Sequence, residues 1–197
     1  MKSVLLSIQS KWCELIASGE KTVEIRKTKP KIQTPFKCYI YCSKGKRRLL
    51  DIMKDGDENF GEIYHGKPVF ITTPESCYAI GNGYEQKVIG EFICDEIKWH
   101  GESAFIVKED CIKALEGSCL TEKEFHNYMN YPPINPYQDL REAIKKCQFY
   151  GWHISDLVIY DKPKGLGNFH HCGDNYHFNP PVMKPPQSWC YVEKESD

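Results

Sequence analysis

Between Gly19 and Arg26 the chain reads Gly-Glu-Lys-Thr-Val-Glu-Ile-Arg. A cation, an anion and a second cation (Lys21, Glu24 and Arg26) are thus placed within one short segment, directly after a turn signalled by Gly19. The guanidinium of Arg26 is a planar fork that matches a phosphate or a guanine edge, and Lys21 is a point charge. Glu24 can accept from an exocyclic amine or hold the two cations in place. Period-two alternation puts Val23 and Ile25 on one side of an extended strand and Thr22, Glu24 and Arg26 on the other. That suits a small polar ligand bearing both donors and acceptors. A solvated strand face with local salt bridges uses the same residue types. In either case Lys21 and Arg26 are expected to project from the strand end, so that truncating either costs at most about 0.5 kcal/mol of stability.

Other residues extend this chemistry. Trp12 and Trp189 can stack on a base, which is worth roughly 1–3 kcal/mol; the spacing of Trp12 to Leu15 and Ile16 fits core packing equally. Gln187 and Ser188, beside Trp189, can read a base edge. Lys11 lies in the first turn of a helix, where the macrodipole disfavours a cation; a bound anion accounts for it, and so does solvent exposure. Lys44, Lys46, Arg47 and Arg48 form a basic cluster that is either a phosphate-contacting patch or a solvated turn. His153 sits in a strand and reads as structural. His170, His171, Cys172, His177 and Cys190 have the residue types of metal ligands, but their spacing matches no standard site. No metal and no cofactor is expected.

The elements that must position these residues follow from periodicity. Val4 to Ile8 is a buried first strand, Ser10 can cap a short helix, and Gly19 ends it in the left-handed region. Phe36 to Ser43 alternates, with Phe36, Cys38, Ile40 and Cys42 on one apolar side. Residues 44–86 read as an insertion over a barrel rim that ends in a Gly81-Asn82-Gly83 turn. Val88 to Trp99 reads as one long strand, and 104–107 as a short extended piece. Thr121-Glu122-Lys123-Glu124 has the capping-box pattern and predicts a helix to about Met129. A second helix is predicted over 139–147, a strand over 152–160, a polar loop over 165–184 and a last strand over 189–192. Strands and helices in no βαβ rhythm give an α+β fold with a small mixed or antiparallel β-barrel and peripheral helices, as one domain over 1–197.

The chain has 197 residues, 41% hydrophobic and 27% charged, with a formal net charge of −1. It therefore lacks a generally basic coat, and any nucleic-acid contact must come from a local patch. The ten cysteines include several in apolar strand-like runs and are expected to be free thiols of a reducing compartment. No stretch approaches membrane-spanning length and no export signal is evident, so a cytoplasmic location is expected. Oligomeric state is not readable.

Ser7-Ile8-Gln9-Ser10-Lys11-Trp12, followed by Gly19-x-Lys21-Thr22-x-Glu24-x-Arg26, resembles the N-terminal signature of the ASCH domain family in the PUA-like superfamily; the family motif G-x-K-x-x-E-x-R is matched at all four positions. Trp152 to Leu157 and Pro185 to Val192 resemble bacterial and bacteriophage members. The resemblance implies a small β-barrel with a cleft beside the first helix, used on RNA, single-stranded nucleic acid or a modified nucleoside. The motif segment's Lys21, Thr22, Glu24 and Arg26, together with Lys11, Trp12, Gln187, Ser188 and Trp189 read from their residue types, are the expected binding residues. Some relatives are amidohydrolases acting on acylated cytidine, and ribonuclease activity is attributed to others. In the amidohydrolase branch a threonine stands where this chain has Glu24, and a second, distant glutamate is required, for which Glu91 and Glu122 are candidates. Three readings therefore stand: a binding module; a hydrolase with Lys21 as nucleophile or general base and Glu24 as proton carrier; and a sequestering protein for a small nucleotide.

Overall fold

The computed structural model describes residues 2–45, 47–53, 69–74, 84–101, 108–129, 148–172 and 179–193. In chain order the elements are β1 (Lys2–Gln9), α1 (Ser10–Ala17), β2 (Val23–Arg26), β3 (Phe36–Ser43), β4 (Arg47–Met53), β5 (Val69–Pro74), β6 (Lys87–Cys94), β7 (Ile97–His100), α2 (Lys108–Leu115), α3 (Glu122–Met129), β8 (Phe149–His153), β9 (Ser155–Gly165) and β10 (Trp189–Glu193). The predicted Gly81–Gly83 turn, the extended piece at 104–107, the helix at 139–147 and His177 lie outside the described residues.

The fold is α+β. A five-stranded mixed sheet runs β10-β1-β3-β6-β9, and a three-stranded antiparallel sheet runs β2-β8-β7. β1 and β3 are the parallel pair, with Leu6 opposite Ile40. Central parallel strands are covered on both faces and so carry continuous apolar runs. β1 does so: Val4, Leu6 and Ile8 enter the main core with Cys38, Ile40, Phe92 and Trp152, while Leu5 enters a second cluster with Tyr39, Phe169 and Val182 on the opposite face. Phe169 and Val182 belong to the stretch expected to be a polar loop; both are buried and seal that outer face.

The long strand expected over 88–99 is two strands. It breaks at Asp95-Glu96, and β6 and β7 belong to different sheets. The strand expected over 152–160 divides in the same way at Ile154, next to Asp156 at φ 46°. Because β6 pairs with β9 while β7 pairs with β8, one antiparallel ribbon bends and passes from one sheet to the other. Only two exposed residues, Asp95 and Glu96, separate the halves of the first strand and only Ile154 those of the second, so a sequence pattern reads straight through both. The expected insertion contains an antiparallel hairpin, with Met53 opposite Val69; β4 was not foreseen, because its Arg47 and Arg48 read as part of a basic turn.

α1 begins one residue from the expected cap. Gln9 occupies the N-cap and makes no side-chain bond there, and Ser10 is already helical. Its far end matches the expectation: Gly19 has φ +76°, a region open to glycine without steric cost, and its N–H donates to the Ile16 carbonyl at 3.0 Å. α3 starts with the predicted capping box. The Glu124 N–H donates to Thr121 Oγ1 at 3.2 Å, and the Thr121 N–H donates to Glu124 Oε2 at 3.1 Å. A third cluster, with Ile25, Phe125 and Phe149, packs α2 and α3 against the far face of β2 and β8. None of the described helices is long and apolar enough to cross a membrane. The cysteines among the described residues are free thiols.

Candidate functional site

α1 delivers Lys21 to its position in two steps. The Gly19 turn reverses the chain, and the Lys21 N–H then donates back to the Leu15 carbonyl at 2.8 Å. The start of β2 is fixed by the loop after α2: the Gly117 carbonyl accepts from the N–H groups of Thr22 at 2.8 Å and Val23 at 3.0 Å. With β2 so placed, Ile25 turns to the helical cluster while Glu24 and Arg26 face the other way. This is the predicted alternation from Val23 to Arg26; Thr22, ahead of the strand, does not follow it.

The three charged side chains are buried, against the expectation that Lys21 and Arg26 project freely. Relative exposure is 2% for Lys21, 7% for Glu24 and 6% for Arg26. Lys21 Nζ donates to the Ser118 carbonyl at 2.6 Å and the Val23 carbonyl at 2.8 Å, and lies 3.3 Å from Glu24 Oε2. The other carboxylate oxygen, Oε1, is 3.0 Å from Arg26 Nε, an ion contact at an angle too poor for a hydrogen bond. Arg26 donates from Nη2 to the Ser7 carbonyl at 2.8 Å, and from Nη1 to the Ser188 carbonyl and Oγ, both at 3.2 Å. The motif thus ties β1, β2, the loop after α2 and the segment before β10 into one ionic clamp. Removing one member of such a buried set strands a charge and costs about 3–5 kcal/mol, well above the cost expected of exposed side chains.

The clamp forms the floor of a cleft of about 620 Å³, within the size range of small-ligand sites. Trp12, Ile8, Leu120, Pro185 and Pro186 supply apolar wall. Lys11 and Glu124 face each other across the rim with an Nζ–Oε1 distance of 2.5 Å. The Lys11 ammonium, helped by the Thr121 N–H, draws the Glu124 carboxyl down to about 2. Lys11 therefore has a protein partner of its own, which explains its place in the first helical turn. Its ammonium also lies 4.4 Å from the centre of the Trp12 ring, and that of Lys21 lies 5.2 Å from it. Tyr128 closes one side; burial raises its phenol pKa, with the Arg26 guanidinium pulling the other way.

Of the expected binding residues, Lys11, Trp12, Lys21, Glu24, Arg26 and Gln187 line this cleft. Ser188 lies behind it as a partner of Arg26. Trp189 does not line it: its indole packs 6.2 Å from Trp152 and 5.3 Å from Tyr191, and donates to Thr28 Oγ1 at 3.0 Å. Thr22 lines a smaller cavity of about 230 Å³ on the other side of β2, together with His100 and His153. Neither Glu91 nor Glu122 reaches the cleft. Burial raises the Glu91 pKa, but hydrogen bonds from Lys37 and Tyr160 outweigh it and hold the group low. Glu124, Asn127 and Tyr128 were not foreseen. Their signal is helical spacing from the capping box, which brings one face of α3 to the cleft. His170 and His171 are tied into β-bridges, and no cluster of metal-ligating side chains occurs among the described residues.

The ASCH domain family model matches residues 6–161, and the chain belongs to the ASCH domain family, a group linked in general to RNA and nucleic-acid binding. Among solved structures it is similar to the crystal structure of ASCH from Zymomonas mobilis, at 15% identity, with 98% of this chain and 88% of that one covered and a TM-score of 0.53. A serine-to-alanine mutant of the Zymomonas protein gives 14% identity, 98% and 89% coverage and a TM-score of 0.54. These likenesses establish the fold. No curated protein matches the chain.

Proposed function

We propose that this protein binds RNA or another single-stranded nucleic acid by admitting one base, modified or unmodified, into the cleft beside α1. One observation carries the reading: the charges of the cleft are already matched to one another, while its neutral amides are unengaged. Lys11 pairs with Glu124, and Lys21 and Arg26 share Glu24. The side-chain amides of Gln9, Asn127 and Gln187 make no hydrogen bond with another described residue, and Gln9, Asn127 and Gln187 all line the cleft. A ligand entering here meets apolar wall, amide donors and acceptors, and the remaining lone pairs of Glu24. That inventory fits the edge of a neutral heterocycle better than a chain of phosphates.

The same geometry opposes Lys21 as a nucleophile. An ammonium has three donors and no lone pair; two backbone carbonyls accept from Lys21 Nζ, and Glu24 Oε2 lies 3.3 Å away as an ion contact. A lysine held in this way is a positioning group for Glu24.

Calorimetric titration with cytidine, uridine, adenosine and guanosine tests the proposal. At least one should bind, and Gln187→Ala and Asn127→Ala should each weaken it by up to about ten-fold, the worth of one hydrogen bond. Both residues are exposed, so neither change should disturb folding. Failure of all four nucleosides to bind, or binding indifferent to both substitutions, would overturn the reading. Turnover of acylated cytidine that disappears in a folded Lys21→Arg variant would replace it with the hydrolase.

A further inference from the structure

Arg26, on the cleft floor, heads a row of side chains that the register of the three-stranded sheet sets in line. Arg26 is opposite Tyr150, and Tyr150 is opposite Trp99. Directly opposed residues share a face, and neighbouring strands are about 4.8 Å apart, so the row runs from the cleft floor to the sheet edge. Along it the side chains become progressively more open to solvent. Arg26 is 6% exposed, Tyr150 half-buried and Trp99 61% exposed. Trp99 is a large apolar ring on an edge strand. It rests over Gly101, where an added Cβ would meet its six-membered ring at 2.3–2.9 Å; the glycine lets the indole lie against the chain.

From the end of β2 the chain continues as Lys27-Thr28-Lys29-Pro30-Lys31, with all three lysines exposed and the Lys31 N–H donating to the Tyr191 hydroxyl at 2.6 Å. The ammonium of Lys27 is 5.3 Å from the Tyr128 ring centre and that of Lys29 is 5.7 Å from the Tyr150 ring centre. None of the three is in an ion pair among the described residues; Lys27 makes one long bond, 3.4 Å, to the Met129 carbonyl. Here, in contrast to the cleft, positive charge is left uncompensated and is interleaved with aromatic rings. Backbone-tracking cations beside stacking platforms are the means by which proteins hold single strands.

We propose that the strand whose base enters the cleft continues along this row, with its phosphates on Lys27, Lys29 and Lys31 and a neighbouring base stacked on Trp99. The inference rests on the cleft reading for its starting point but makes separate demands. The test compares nucleosides with the matching six-nucleotide RNA homopolymers on the wild type, on Trp99→Ala and on a combined Lys27→Gln, Lys29→Gln, Lys31→Gln variant. Wild type should bind the tighter-binding hexanucleotide better than its nucleoside. Trp99→Ala should weaken hexanucleotide binding by about ten-fold, within the range of one stacked base, and leave nucleoside affinity unchanged. The lysine variant should flatten the salt dependence by about 2 in slope, at about 0.7 per phosphate contact. Unchanged hexanucleotide affinity in both variants would overturn the proposal while the cleft reading stands, and would leave Trp99 to another partner. Hexanucleotide binding that depends on Trp99, without nucleoside binding, would uphold the row and remove the cleft. Binding of neither ligand would remove both.

Discussion

Residues 21–26 and 27–31 are adjacent in sequence and each holds three charged side chains, yet their cations do opposite things. Lys21 and Arg26 are buried and turned inward onto Glu24 and onto backbone carbonyls. Lys27, Lys29 and Lys31 are exposed and face rings and solvent. The first set builds the cleft; the second leaves a field outside it. A basic residue in a family motif is therefore not automatically a ligand contact. Its partners decide, and partners 97 residues apart in sequence, as Lys21 and Ser118 are, do not show in a local pattern.

The contrast is broken most sharply by stability. Lys21→Ala should cost about 3–5 kcal/mol, a fall in midpoint of roughly 10 °C for a chain of this size. Lys29→Ala should stay within about 0.5 kcal/mol. Denaturant unfolding of both variants checks this, and equal effects would erase the distinction between the two segments. Smaller is the loss expected at the α3 cap. Thr121→Ala should cost about 1 kcal/mol and loosen the helix that brings Asn127 and Tyr128 to the cleft, so nucleoside affinity should fall with it.

Acid titration sharpens the same boundary. Glu124 is held at about 2, against an ordinary value of 4.5, chiefly by Lys11. Its folded value is depressed, so its contribution to stability is present above about pH 4.5 and is lost as pH falls toward 2. Glu124→Gln should lower stability modestly above about pH 4.5, flatten the profile across that window and converge with the wild type toward pH 2. The pair is partly exposed and salt screens it, so the change should be modest and should shrink further in high salt. Smallest of all should be the effect of salt on nucleoside binding, because the charges of the cleft are paired. Nucleoside affinity as salt-sensitive as oligonucleotide affinity would show that the clamp releases a cation to the ligand.

Much of this was legible in the chain. The alternation of Phe36 to Ser43, the turn at Gly19 and the capping box at Thr121 are local rules, and each element lies where its rule put it. The bends at Asp95 and Ile154 were not legible, because each interruption is only one or two residues long and strand-like residues resume directly after it. At the site, the motif picked out Lys21, Glu24 and Arg26 as neighbours, but not their burial, which is set by Ser7, Ser118 and Ser188. Trp189 illustrates the reverse error. An aromatic beside two polar residues looked ready to stack, whereas Trp152 and Tyr191 already pack against it.

The central claim is that the cleft over Glu24 receives a base. A crystal structure of the protein soaked with the tightest-binding nucleoside tests it directly. The account predicts a base seated between Trp12 and Tyr128, its edge within hydrogen-bonding distance of Glu24 and of Gln187 or Asn127, with Lys21 still on the Ser118 carbonyl. A nucleoside bound elsewhere, or one that draws Lys21 away from Ser118 onto itself, would contradict it.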